Sequence, residues 1–398
     1  MALELFFYYF TVLDNTLDRP QLTPEDRRRR DRRTPRIAIR YYAQSSFVYL
    51  YESGNEQALL NCCGVDHDMF GMLLELFEPV FHKYTPYDKS GVIRKKRLTG
   101  GGAPKGRKRE LDAIGCLGLV LYWFRTRGSV ARGTAMAFGL TSSPMYLWLR
   151  YSRRVLLFVL QTDPLAMVRP PTEEEVVEYI DAIGAKYPDL GDKKVWGAAD
   201  GLKLKLQRSS NWAIQNQSYN GWTADTYVNS VFVFAPDGRI RMATINAHGV
   251  WHDSTMAEYG IYDKMEDVFN VHGGRVVVDS AFKLQEKDYL IKSSQQDPDN
   301  AGGIVLNRQA TSLRQLSEWG MRMIQGQFPR FKDRMVLEDF GERKVILHLM
   351  VLLYNYQAST VGINQIFNTF MSKTEGFYSH DNDISATANG VFGVTGVV

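Results

Sequence analysis

Two apolar runs in this sequence close on a carboxylate: VWGAAD at 195–200 and RVVVD at 275–279. An unbroken stretch of Val, Ala and Trp is the pattern of a strand buried on both faces, which belongs inside a sheet rather than at its edge. A chain that must bury two such strands is directed toward an α/β architecture, a mixed sheet flanked by helices. The intervening sequence agrees. TYVNSVFVFAPDGRIRMATINAHG (226–249) reads as a hairpin turning at Pro236-Asp237-Gly238, HDSTMAEYGIYDKMEDVF (252–269) as a helix, and TSLRQLSEWGMRMIQGQF (311–328) as another. The fourth strand, RVVV, is expected beside the first.

If those two strands are parallel neighbours, Asp200 and Asp279 leave the sheet at the same edge. Two facing carboxylates repel, and one is driven to take a proton. A hard divalent cation, Mg²⁺ or Mn²⁺, removes the conflict because it prefers oxygen ligands. Either aspartate taken alone is equally a turn residue after a strand. A third acid, Glu318, lies on the 311–328 helix among Leu313, Leu316, Met321 and Ile324, with Arg314 and Arg322 as helical neighbours. It can be an exposed ion-pair partner or a third metal ligand.

The N-terminal part is different in kind. Residues 1–150 carry 23 Lys/Arg against 15 Asp/Glu, whereas the other 248 carry 25 against 29. The cations are clustered as RRRRDRR (27–33), RKKR (94–97) and KGRKR (105–109), blocks suited to a polyanion or to nuclear import. The last block, holding Arg107, Lys108 and Arg109, ends the Gly-rich stretch TGGGAPKGRKR, which lacks the Lys-Ser/Thr ending of a nucleotide-binding loop. Downstream, ELDAIGCLGLVLYWFRTRG predicts a long helix. SVARGTAMAFGLTSSPMYLWLRYSRRVLL then predicts a short helix, a turn at Gly139, a Thr141 or Ser142 cap and a second helix bearing Arg150, Arg153 and Arg154. That order is a helix-turn-helix pattern, with those arginines as candidate DNA contacts. It is also the pattern of an ordinary helical hairpin.

The expected organisation is a basic arm at 1–35, a helical DNA-binding unit at 36–165, a Pro-Pro linker with a capping-box helix at 166–194, a nuclease-type α/β domain at 195–358 and a loose tail at 359–398. Apolar runs such as CLGLVLYWF (116–124) are too short for a membrane span, and three cysteines form neither a disulfide framework nor a zinc spacing.

Four blocks resemble, in order, those of PIF/Harbinger-type transposases, which carry a DDE superfamily endonuclease domain. GAADGLKLKL is similar to the first-aspartate block, AHGVWHDS (247–254) to the His-Asp-Ser block, VVVDSAF to the second-aspartate block, and NRQATSLRQLSEWGMRMIQGQF (307–328) to the arginine-to-glutamate helix. The resemblance implies an RNase H-like fold and an Asp200, Asp279, Glu318 triad that binds two divalent ions. It also implies cleavage and joining of DNA strands at transposon ends, a Myb-like accessory protein, a homo-oligomer and action in the nucleus. His252, Asp253 and Arg314 are accessory motif residues. The sequence departs from the family where SYNGWTAD (218–225) replaces a basic Arg-Lys-Gly-like segment, and where Gln325 and Gln327 stand in place of a lysine and an arginine. Lost cations weaken a grip on phosphate, so a host-adopted DNA-binding protein without cleavage is the alternative expectation.

Overall fold

A computed structural model describes residues 39–86, 94–95, 109–128, 131–282, 287–292, 301–336, 339–361 and 364–371. The basic arm at 1–35 lies outside the described residues, as do Arg107 and Lys108.

Local caps open the N-terminal helices. Ser45, Asn55 and Asp66 accept the backbone N–H of Val48, Ala58 and Met69, and so start α1 (Ser46–Glu52), α2 (Glu56–Cys63) and α3 (His67–Lys83). Along α3, Met69, Phe70, Leu73, Phe77 and Phe81 recur at helical spacing and are all buried. A two-residue antiparallel ladder, β1 (Tyr84–Thr85) with β2 (Arg94–Lys95), follows. Asp112 caps α4 (Ala113–Arg125), whose body from Gly115 to Leu121 is buried throughout, a central helix wrapped by its neighbours. Then come α5 (Ala131–Ala137), a turn through Gly139 at φ +63, and α6 (Ser142–Leu160). A side chain at Gly139 would meet the backbone of Arg40 and Tyr41, so the turn needs glycine for both conformation and space.

The predicted capping box is formed: Thr172 and Glu175 bond reciprocally at the start of α7 (Glu173–Lys186), which leads into α8 (Pro188–Asp192). The sheet then begins. β3 (Val195–Lys205) is followed by α9 (Trp212–Ser218), β4 (Tyr219–Asn220), β5 (Asp225–Phe234) and β6 (Ile240–His248). Next come α10 (Asp253–Ala257), α11 (Ile261–His272), β7 (Arg275–Val278), β8 (Leu290–Lys292), α12 (Ala301–Gln327), α13 (Phe340–Thr360) and α14 (Gln365–Phe370). Among the described residues the sheet has six strands. β5 and β3 are antiparallel neighbours, β7 and β8 add parallel on the other side, and β6 and β4 both pair with β5.

The expected adjacency of the first and fourth strands is thus present, with Gly197 opposite Val276 and Ala198 opposite Val277. Helix α12 crosses one face of the sheet: Leu313, Leu316, Ser317 and Ile324 are buried, and a Cβ on Gly320 would strike the Phe234 ring. Two expectations need correction. The 252–269 helix is two helices, because Gly260 at φ +93 breaks the run. The tail expected from 359 contains α14, which buries Ile366 and Phe370 against the core.

The two regions share an interface. Helix α13 packs on α6, and a cavity of about 740 Å³ lies between them. Among the described residues, no helix is long and apolar enough to cross a membrane.

Candidate metal centre

Asp200 sits mid-strand in β3, at the point where its parallel neighbour β7 ends, and Asp279 is the first residue after β7. The register therefore brings the two acids side by side, but only Asp279 leaves the sheet as expected: β3 runs on to Lys205, paired with β5, so Asp200 stays within it. A third carboxylate arrives from the opposite direction. Asp253 is the first residue of α10, with His252 at the cap position, directly after the loop that leaves β6. Asp200, Asp253 and Asp279 each offer a carboxylate oxygen, and these atoms lie within 4.8 Å of one another. All three residues are partly buried.

The loop that presents Asp253 is held at several points. Asn229 Nδ2 donates to the Gly249 and Trp251 carbonyls at 3.3 and 3.0 Å, and the Trp251 ring stacks on Tyr259 with centroids 4.9 Å apart. A Cβ on Gly249 would meet the Ser218 and Tyr227 carbonyls, so the loop seats backbone against backbone. On β3, Gly201 leaves the space the Asp253 carboxylate fills.

The electrostatics are those of crowded anions. Burial, then Asp279 and Asp253, push Asp200 up to about 6, against the opposing effects of the Gly201 N–H bond and Arg314. Asp253 is raised by burial and by Asp279, with Lys203 and His252 acting against the rise. Asp279 Oδ1 accepts the Ala281 N–H at 2.8 Å, which orients it. An all-oxygen set of mutually repelling carboxylates, partly open to solvent, fits a hard divalent cation such as Mg²⁺ or Mn²⁺.

The other residues picked from the sequence are distributed differently. Arg314 reaches the centre electrostatically through Asp200, and its Nε is buried without a hydrogen-bond partner. Glu318 does not join the three-carboxylate group. Its side chain is 45% exposed and pairs with Arg322 one turn further along α12, at 3.9 Å. His252 is exposed and makes no side-chain cap bond.

The arginine row on α6 is a correction. Arg153 is buried, donates to Glu342 on α13 at 2.8 Å and lies 3.8 Å over the Trp123 ring. Arg150 and Arg154 approach the same carboxylate at 3.6 and 3.8 Å. These side chains tie the helical region to the sheet domain: Arg153 and Arg154 are turned inward, while Arg150 keeps a side chain 38% exposed. Arg109 likewise donates to the Phe81 and Tyr84 carbonyls at the end of α3.

Sequence reasoning named Asp253 only as an accessory residue. Its signal was a carboxylate at the first helical position, straight after a strand-ending loop. Lys203 and Glu342 were missed, the first hidden in an alternating strand and the second at the start of an apolar helix.

Residues 199–355 match the family described as DDE superfamily endonuclease. The matched segment contains Asp200, Asp253, Asp279, Arg314 and Glu318, and at the level of that family it supports a transposase-like nuclease. Searches of curated proteins and of solved structures found no match.

Proposed function

We propose that this protein is a metal-dependent DNA endonuclease of the transposase type, of PIF/Harbinger character, built on an RNase H-like domain. One observation carries the reading: three carboxylates separated by 53 and 26 positions in the chain converge within 4.8 Å where buried β7 ends beside the middle of its parallel neighbour β3. The strand order β6-β5-β3-β7-β8, with the first three antiparallel and the last two parallel to β3, supports the RNase H-like assignment.

Asp200, Asp253 and Asp279 would hold divalent ions, two in the proposed chemistry. When bound, such ions supply Lewis-acid stabilisation of a phosphodiester and ease deprotonation of the attacking hydroxyl or water. The protein's own part is positional. Parallel pairing fixes two acids, the Asn229-braced loop fixes the third, and Arg314 offers a partly buried cation to a phosphate oxygen beside Asp200. Glu318, one turn beyond Arg314 on the same helix, is proposed to join when substrate and metal displace Arg322. DNA, a Myb-like accessory protein, a homo-oligomeric assembly and nuclear action belong to the same reading. The α5–turn–α6 unit remains its candidate DNA-recognition element, though not through Arg153.

The test is nicking of plasmid DNA by the full chain. Nicking is expected with Mg²⁺ or Mn²⁺, and it stops with chelator and with Asp279→Asn. A DNA-binding protein without cleavage is the second reading, favoured by the Glu318–Arg322 pair and by the neutral Gln325 and Gln327. Metal-dependent retention of DNA with no nick in any divalent ion would establish that reading instead.

A further inference from the structure

Between β3 and β5 the chain exposes three aromatic side chains within eleven residues: Trp222 at 97%, Trp212 at 77% and Tyr219 at 41%. One exposed ring is unremarkable, but these sit on an ordered base. Asn211 Oδ1 accepts the Ala213 and Ile214 N–H groups at the start of α9. Gln215 accepts the Ser209 N–H at 2.9 Å and donates to Thr226 Oγ1 at 2.8 Å, which fastens α9 to β5. At the hairpin tip Asn220 Oδ1 accepts the Trp222 and Thr223 N–H groups. The same tip holds Ala224 at φ +51, a left-handed conformation that costs a residue with a Cβ on the order of 1 kcal/mol. The fold therefore holds these rings out in water on a braced segment.

Charge identifies what they face. From Gly201 to Ala224 there is no carboxylate, while Lys203, Lys205 and Arg208 are all exposed. Asp225, which lies 3.5 Å from Lys205, is already held by a two-point pair with Arg334 at 2.7 and 2.8 Å, so the strip keeps a positive surplus. The strip is also continuous with the acid cluster. Lys203 acts on Asp253, and Lys203 and Lys205 lie on the face of β3 where Gly201 makes room for the Asp253 carboxylate. Asn220 Nδ2 donates to the Gly249 carbonyl in the loop that delivers Asp253. Exposed rings on a hydrogen-bonded backbone, with a line of cations and no acids on the same segment, match the arrangement that binds unpaired nucleic-acid strands: cations follow the backbone and rings stack on bases.

We propose that Trp222, assisted by Trp212 and Tyr219, is a stacking platform for unpaired DNA bases flanking the phosphate at the acid cluster, with Lys203, Lys205 and Arg208 tracking the strand. The inference rests on the nuclease reading for its choice of DNA, and the two fail separately.

The experiment is fluorescence anisotropy with the full chain in Ca²⁺, using a labelled blunt duplex and the same duplex with a short unpaired flank. Trp222→Ala is expected to weaken binding of the flanked probe by about 5- to 100-fold, to leave the blunt probe unchanged, and to be largely rescued by Trp222→Tyr. Because the side chain is exposed, the variant keeps its fold. If Trp222→Ala binds both probes as the parent does, or loses both equally, the platform is overturned. A protein that discriminates the probes through Trp222 yet never nicks DNA keeps this inference and loses the nuclease reading. One that nicks DNA with no dependence on Trp222 does the reverse.

Discussion

Gly201 and Asp253 occupy one another's space: a Cβ added at Gly201 would lie 2.5 Å from Asp253 Oδ1 and 2.6 Å from its Cγ. Contacts that short do not occur, so any side chain on β3 here must push the third carboxylate away. The glycine after the strand aspartate thus serves packing, since its backbone is not left-handed. Gly201→Ala is expected to lower Mn²⁺ affinity by at least about tenfold, because each ligand displaced by an ångström removes much of its coordination. Titration of Mn²⁺ followed by electron paramagnetic resonance reads this, with circular dichroism to show the fold retained. Unchanged affinity would mean that Asp253 is not a ligand.

Asp200 carries a second prediction, in metal-free protein. Its folded value of about 6 exceeds the ordinary 3.8. A raised carboxyl contributes stability that is fully present below the unfolded value and is lost as pH rises through the folded one. Between pH 4 and 6 that loss accumulates, to at most about 3 kcal/mol. In chelator, Asp200→Asn should therefore be more stable than the parent at pH 7.5, by 1 kcal/mol or more, and the advantage should fade towards pH 4. Urea melts at both pH values test it, and a variant equally stable or weaker at pH 7.5 contradicts it.

What could be read from the sequence here follows the range of each interaction. The buried strands were legible because their apolar runs are short, unlike the longer run at 116–124 that forms α4, and the convergence of Asp200 with Asp279 follows from pairing those runs. The capping box at Thr172 and Glu175 was legible because its partners are three residues apart. The direction of Arg153 was not, since its partner Glu342 lies 189 residues away and an arginine on a helix looks the same facing DNA or a buried carboxylate. Strand β8 has three residues, too few for any periodicity, and the α10–α11 break depends on a glycine that a helical pattern tolerates.

The Glu342 hub yields a third prediction. Its carboxylate is met by Arg150, Arg153 and Arg154, of which Arg153 is buried and has its guanidinium destabilised by loss of water. Removing one side of a buried pair strands the other charge, at about 3–5 kcal/mol. Glu342→Ala should cost the protein roughly that much in urea unfolding. Adding Arg153→Met should restore part of it, because a buried hydrophobe carries no uncompensated charge. If the double variant is less stable than Glu342→Ala, the buried charge is not the cause.

The last prediction separates two acids that the sequence places in one motif set and the fold holds apart. Asp253 contributes an oxygen to the three-carboxylate group, whereas Glu318 is engaged by Arg322 at 3.9 Å. That ion pair is exposed and worth at most about 1 kcal/mol, so it is readily exchanged for a stronger partner. Arg314 is the α12 residue that acts on Asp200, and Glu318 lies one turn, about 6 Å along the axis, beyond it. Asp253→Asn is therefore expected to weaken Mn²⁺ binding in the DNA-free protein by about tenfold or more. Glu318→Gln should leave that affinity within about twofold and yet abolish nicking, its carboxylate being recruited only with DNA in place. The pair of variants, measured for Mn²⁺ binding and for plasmid nicking, decides the order of assembly. Should Glu318→Gln lose Mn²⁺ affinity without DNA while Asp253→Asn keeps it, the ligand set in the resting protein is the sequence triad and the geometric one is wrong.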